Sequence, residues 1–378
     1  MNGIYVHIPF CKKRCIYCDF YSTTYGIEVR RQYVKALCRE MQLRASFLEG
    51  PVDSVYLGGG TPSQLSSSEL EEIFHSLNKY FQLKSDAEIT IEVNPDDITP
   101  SYVDILKATP VNRLSMGVQT FDDATLRLLN RRHTAQEACR ALETVFAKGY
   151  SNVSIDLIYG LPHQSLVQWE ADLRTAFSFP VTHLSAYALI YEEGTKLWQM
   201  RKLKQVEEVG EELSLKMFNR LIDEADAHGF EHYEISNFAR PAFRSRHNSG
   251  YWHQMHYLGL GTSAHSYDGS IRRWNNPDVQ AYIQADGNVD KTGLFEQETL
   301  TMTDCFNEAV MTALRTSDGL DLNKFEKAFG LSNRQMLMQR ARPYVEKNLL
   351  KLSQDNLALT RQGLFLSDGI MSDLMTVD

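Results

Sequence analysis

The sequence predicts an α/β protein: a partial (β/α)6 barrel followed by a smaller helical, winged-helix-like domain. Three observations lead there. Short apolar, β-branched runs alternate with amphipathic helical patterns through the first half of the 378 residues. Polar or glycine-rich segments recur directly after those runs. Near residue 290 the alternation gives way to closely spaced helices and one hairpin-like pair. Strands alternating with helices imply right-handed crossovers and a parallel sheet. Roughly six such units fall short of the eight in a closed barrel.

The strand candidates, in order, are Ile4–Ile8, Ser54–Leu57, Glu88–Val93, Arg113–Val118, Asn152–Ile158 and His183–Leu189. Between them, Arg30–Ala45, Ser67–Phe81, Ala135–Ala147 and Leu166–Phe177 carry apolar residues at helical spacing. Ser66-Ser67-Ser68 ahead of Glu69, Glu71 and Glu72 supplies a cap and first-turn acids. In the last quarter, Met302–Leu314, Leu322–Phe329 and Asn333–Lys347 read as helices. Leu349–Leu352 and Leu357–Leu359 read as a hairpin turned at Gln354-Asp355-Asn356, and a last helix starts near Arg361. The expected division is a barrel with an extension over 1–285 and a second domain over 290–378. A helical module with a small hairpin invites a DNA-binding reading. Acids outnumber bases in that module, the wrong balance for phosphate contacts, so it is expected to pack or cover instead.

Composition narrows the function classes. The formal charge is −9, which disfavours nucleic acid as a partner. The chain opens straight into an apolar strand, so no leader peptide is expected. No apolar run reaches membrane-spanning length, which leaves peripheral contact with a membrane surface open. Of 6 cysteines, Cys38, Cys139 and Cys305 are scattered, the first two in helical stretches where burial is the ordinary expectation. This is no disulfide framework, and a reducing, cytoplasmic setting is expected.

The other three cysteines carry the chemistry. Cys11, Cys15 and Cys18 are spaced C-x3-C-x2-C with no fourth cysteine nearby. Iron–sulfur cubes are normally held by four thiolates. Three would leave one iron of a [4Fe-4S] cluster open to a small ligand, and an open position is what separates reactive metal sites from closed structural ones. A three-cysteine zinc site closed by His7 is the alternative. Gly58-Gly59-Gly60-Thr61-Pro62 ends the second strand, where glycines let backbone approach a ligand closely. It lacks the ending of a nucleotide-binding phosphate loop. Glu92 and Asp156 close apolar strands, and Gln119 follows another. Each of these, and Arg131, reads equally as a ligand contact or as a satisfied structural group. Their shared position at the C-terminal ends of strands matches the active face of parallel barrels.

Taken in order, Tyr5-Val6-His7-Ile8-Pro9-Phe10-Cys11, the triple glycine, Ile91-Glu92-Val93-Asn94-Pro95, Gly117-Val118-Gln119 and Asp156-Leu157-Ile158-Tyr159-Gly160-Leu161-Pro162 strongly resemble the oxygen-independent coproporphyrinogen III oxidase family of radical S-adenosylmethionine (SAM) proteins. The resemblance covers essentially the whole chain. It implies a radical SAM barrel, a [4Fe-4S] cluster on Cys11, Cys15 and Cys18, SAM on the open iron, and a reductant that feeds the cluster. One electron would then cleave the sulfonium to a 5'-deoxyadenosyl radical. Carried residue by residue, Tyr5, Gly59 and Glu92 match contacts of this SAM. Tyr17, Gly60, Thr61, Gln119, Arg131, Asp156 and Ile190 match contacts of a second one. His265 falls where the family has an apolar contact.

Two branches of that family differ. The decarboxylating oxidases have a long arm before the cluster and a further cysteine just after the third. Here Cys11 comes early and Asp19-Phe20 follows Cys18. The chain looks more like the HemW-type haem-chaperone branch, which shares the Cys-Asp-Phe ending and the run His247-Asn248-Ser249-Gly250-Tyr251-Trp252. That likeness implies haem as ligand and an unidentified haem-acceptor protein as partner. His247, Tyr251 and Trp252 are the haem candidates, since neutral imidazole ligates iron and aromatic rings suit a macrocycle. Arg240, Arg244 and Arg246 are candidates for its propionates.

Overall fold

The computed structural model describes residues 1–376; the last two positions of the expected C-terminal domain lie outside the described residues. Six strands form where the β-branched runs stand: β1 (Asn2–Ile8), β2 (Val52–Gly59), β3 (Leu83–Val93), β4 (Arg113–Gln119), β5 (Val153–Tyr159) and β6 (His183–Ala188). They pair in parallel in chain order. Helices Ile27–Leu43, Ser67–Tyr80, Ala135–Ala147 and Leu166–Phe177 fill the crossovers at the expected places. Ser66 and Glu69 close a reciprocal capping box at the second of these.

The sheet is wider than six strands. β7 (Glu231–Glu234) and β8 (Asn237–Ala239) add antiparallel beyond β6. At the other edge β9 (His256–Leu260) lies parallel to β1, and β10 (His265–Tyr267), β11 (Ile271–Asn275) and β12 (Phe295–Thr299) continue antiparallel. Among the described residues the order is β12-β11-β10-β9-β1-β2-β3-β4-β5-β6-β8-β7. The sequence reading has no counterpart for β7–β12, because such short runs carry too little periodicity.

The two faces of the sheet differ in kind. Ile4, Val6, Ile8, Val55, Leu57, Ile89 and Ile91 are buried against the helices and form the main apolar core. The inner face, one residue out of phase, is polar: Ser54 and Tyr56 on β2, Glu88, Thr90 and Glu92 on β3, Arg113 and Ser115 on β4. The short helix Arg246–Trp252 packs on β1 and β2 and closes this interior from below. Buried Glu88 holds it there, accepting the backbone N–H of Arg246 and of His247 at 3.0 Å each.

A second apolar cluster begins at Phe306 and includes Val310, Leu314, Leu337, Leu357 and Leu374. Helices Met302–Leu314, Leu322–Phe329 and Leu331–Glu346 pack around a small sheet of β13 (Leu320–Asp321), β14 (Leu350–Ser353) and β15 (Asn356–Leu359), ordered β13-β15-β14. The expected hairpin is present; the expected last helix is split into Arg361–Leu364 and Ser367–Leu374. This unit clips onto β7 through backbone hydrogen bonds from Ile235 to Arg315 O and from Ser317 to Tyr233 O. No helix of the described residues is long and apolar enough to cross a membrane. All six cysteines are free. Cys38 and Cys139 are half-buried rather than fully buried; the Cys38 thiol lies at the helix margin, donating to Glu72 O.

Candidate functional site

The C-terminal ends of β1–β6 open into one cavity of about 480 Å³. The loop after β1 carries Cys11, Cys15 and Cys18 into its wall. That loop is pinned by Thr23, whose N–H donates to Pro9 O at 2.6 Å while its carbonyl accepts from Cys11 N at 2.9 Å. Burial, joined by the neighbouring thiols, pushes Cys18 up to about 11 and raises Cys11. Thiols so placed stay protonated until a cation displaces the protons, the behaviour expected of a metal-loading set. The Thr61 hydroxyl donates to Cys11 Sγ at 3.4 Å, and Arg131 donates to Cys15 Sγ at 3.5 Å. Both are hydrogen bonds to sulfur of the kind that tunes a cluster.

The donor set supplies thiols for three corners of a cube. Among the described residues no group of three or more His, Cys, Asp or Glu converges on one metal position. A cube presents separate corners to separate thiolates, and the loop after β1 brings Cys11, Cys15 and Cys18 to one cavity wall. His7 does not complete a zinc site: its Nδ1 is 3.0 Å from the Tyr5 hydroxyl and its Nε2 is 2.9 Å from Tyr21 O. Burial lowers its pKa to about 4.

Beside the cysteines, the glycine segment ends β2. Gly59 has φ +110°, and a Cβ there would meet the His7 ring at 2.5 Å. A Cβ on Gly60 would meet Phe10 N at 2.8 Å. Only glycine permits this close passage of backbone. Gly59 N donates to Glu92 Oε2 at 3.1 Å, and the Tyr56 hydroxyl donates to Glu92 Oε1 at 2.9 Å. Across the cavity the Ser115 hydroxyl lies 3.2 and 3.3 Å from the two oxygens of Asp156. Burial raises both acids, Glu92 to about 7 and Asp156 to about 6. Two carboxylates held in one partly dry cavity favour a cationic ligand. Arg131 reaches Asn94 Oδ1 and Gly117 O, and Gln119, at φ +72°, lines the wall.

Of the residues singled out from sequence, Tyr17, Gly59, Gly60, Thr61, Glu92, Gln119, Arg131, Asp156 and Ile190 meet at this cavity with the three cysteines. Ile190 is 65% exposed and stands at the mouth. Tyr5 lies deeper, stacked on Tyr56. His265 stacks on Trp274 in the edge strands. Tyr56, Asn94, Ser115, Ser185 and Tyr187 also line the cavity. Their inward placement follows from strand alternation, the signal that would have found Tyr56 and Ser115.

The His247–Trp252 run sits apart. Of it, Asn248 alone lines the cavity. His247 is 1% exposed, with Nδ1 2.9 Å from the Ser54 hydroxyl and Nε2 2.8 Å from the Tyr251 hydroxyl. Its ring stacks on Tyr56 at 5.2 Å. Burial lowers its pKa to about 3, so it is neutral. Trp252 lies under the guanidinium of Arg315. Arg244 and Arg246 are already engaged, the first with Glu231 and Asp318 and the second with Asp86. Arg240 covers the Phe230 ring.

A parallel partial barrel with three cysteines and a triple glycine at its C-terminal mouth defines a radical SAM protein. Residues 5–176 match the radical SAM superfamily, and residues 300–366 match the HemN C-terminal domain. Superfamily membership implies SAM and a [4Fe-4S] cluster as cofactors. The chain belongs to the HemW family. It is 33% identical to heme chaperone HemW of Bacillus subtilis, over 98% of each chain. It is 34% identical to the protein of that name from Mycobacterium tuberculosis, over 99% of this chain and 94% of the relative. In structure it is similar to the coproporphyrinogen III oxidase HemN of Escherichia coli, a radical SAM enzyme, with a TM-score of 0.85 and 26% identity over 99% of this chain and 90% of that one.

Proposed function

We propose that this chain is a haem chaperone, binding haem and transferring it to an acceptor protein while carrying a SAM-ligated [4Fe-4S] cluster in the cytoplasm. The end-to-end match to relatives named heme chaperone HemW carries the reading. Asp19-Phe20 after the third cysteine and the His247–Trp252 run support it over oxidative decarboxylation.

In this reading Cys11, Cys15 and Cys18 hold the cluster. Tyr5, Gly59 and Glu92 serve the SAM beside it, with Glu92 accepting from its ammonium or ribose. Tyr17, Gly60, Thr61, Gln119, Arg131, Asp156 and Ile190 surround room for a second molecule. The cluster, when bound, supplies one-electron chemistry and an open iron, and its electron comes from an external reductant. The barrel and its extension to residue 285 form the cofactor unit; the C-terminal domain that starts at residue 290 packs against it. Haem is assigned to the segment of His247, Tyr251 and Trp252. Ligation by His247 requires its bond to Ser54 or to Tyr251 to open.

Haem titration of anaerobically reconstituted protein tests the proposal: a saturable Soret shift is expected, and none with intact protein overturns it. The likeness to HemN favours a second reading, decarboxylation of coproporphyrinogen III. Protoporphyrinogen formed with SAM and reductant would reverse the ranking.

A further inference from the structure

One buried charge in the barrel is left over. Arg113 points inward from β4, one layer below Ser115, and is 1% exposed. Its Nε is buried without a hydrogen-bond partner. A buried guanidinium with an N–H left unsatisfied is costly to fold around, and arginine does not escape by losing its proton. A charge kept under those terms acts through space on something nearby.

The groups around it are known on every side. Glu92 on β3 meets Tyr56 from β2, the backbone of Gly59, and Asp156 across the cavity. Asp156 on β5 meets Ser115 from β4, Ser185 and Tyr187 from β6, and the more distant Arg131. Tyr5 on β1 lies on the Glu92 side. Closing the interior below are buried Glu88 of β3, whose carboxylate accepts the backbone N–H groups of Arg246 and His247, the Tyr233 phenol, and His183 and His247, whose imidazoles burial keeps neutral. Arg113 is thus the cation set beneath a pair of carboxylates at the floor of the cofactor cavity.

We propose that Arg113 is a positioning residue for SAM: an internal counter-ion that keeps Glu92 and Asp156 ionised together, so that the cavity can take a cationic ligand at neutral pH. The inference rests on reading that cavity as the SAM site. Geometry supports it first, since the two acids share one cavity and would otherwise repel. The titration behaviour agrees. Burial drives both acids up, and for Asp156 the Arg113 charge is the strongest influence opposing it. The same charge acts in the same direction on Glu92.

SAM affinity of the cluster-loaded protein, measured by calorimetry from pH 6.0 to 8.5, is the test. In wild type, affinity should rise with pH as the carboxyls ionise. In Arg113→Met the rise should move up by about one pH unit, weakening binding about tenfold near pH 7 and converging on wild type at the alkaline end. Arg113→Lys keeps the charge and should restore the wild-type profile. A merely structural role would lower affinity equally at all pH values. Parallel profiles for wild type and Arg113→Met overturn the inference while leaving the SAM site intact. Wild type that binds no SAM overturns both. If Arg113→Met and Arg113→Gln fail to fold while Arg113→Lys folds, the charge serves the fold and the assignment is overturned.

Discussion

The hydroxyl of Tyr56 donates to Glu92 Oε1 at 2.9 Å, while its ring stacks on His247. Tyr56 therefore links the carboxylate at the cofactor cavity to the helix that closes the barrel from below. A hydrogen bond to a carboxylate favours its ionised form. In Tyr56→Phe the ring and its stacking survive but the donor is lost, so Glu92 should titrate higher. SAM affinity at pH 7 should fall by about 1–2 kcal/mol, or roughly tenfold, the usual range for a charged hydrogen bond. Thermal unfolding of the apo protein should move little. Unchanged SAM affinity would show that Glu92 does not need this donor.

The raised pKa of Glu92 also makes a stability prediction. A carboxyl near 7 in the folded chain holds its proton more tightly than in the unfolded one. Its contribution is fully present below the unfolded value and is lost as pH rises through about 7. Glu92→Gln removes the charge without changing the shape. The apo variant should stay within about 1 kcal/mol of wild type near pH 5 and exceed it by about 3 kcal/mol at pH 8. The same variant should bind SAM poorly at every pH. Denaturant unfolding at the two pH values, beside calorimetry with SAM, checks both halves; a stability gain at pH 5 as large as that at pH 8 would contradict the sign.

Each of Cys11→Ser, Cys15→Ser and Cys18→Ser should lose iron and the visible cluster absorbance after anaerobic reconstitution. The fold should persist, because the loop is pinned by Thr23 through backbone bonds to Pro9 and Cys11. Cys38→Ser is the control: its thiol packs at the helix margin against Glu72, far from the cavity wall in role as in sequence. Iron retained in any of the three loop variants, at the wild-type ratio, would remove that cysteine as a ligand.

How far the sequence could be read follows from what each residue needs. The strands around Glu92 and Asp156 were legible because β-branched runs have period two and end in an acid that has no business in a core. The cysteine loop was legible because thiol spacing is itself a ligand geometry. Arg113 was not, since an arginine alternating in a strand looks like an ordinary surface residue until the sheet curls and it turns inward; Tyr56 shares the alternation of its strand, but nothing local marks it as the partner of Glu92. The His247–Trp252 helix was recognised as a motif, but its partners Ser54, Tyr56 and Glu88 lie far away in the chain. Spacing alone cannot show that a histidine has both nitrogens in use. The edge strands β7–β12 were missed because they owe their existence to pairing with β1 and β6 rather than to local pattern.

His247 gives the sharpest test of where haem goes. The ring is buried, stacked and doubly hydrogen-bonded, so His247→Ala leaves a cavity and two unpaired hydroxyls. It should destabilise the protein by about 2–4 kcal/mol, the range for large-to-small core changes with lost polar partners. Loss of haem binding in that variant is therefore ambiguous between ligand and scaffold. Tyr251→Phe separates the two. It removes the hydroxyl from His247 Nε2 and leaves the ring and its packing in place. If Nε2 ligates haem iron, freeing it lowers the cost of ligation, and haem affinity should rise several-fold with the Soret position kept. If affinity is unchanged or falls while thermal stability holds, His247 is a structural residue, and the iron takes its ligand elsewhere.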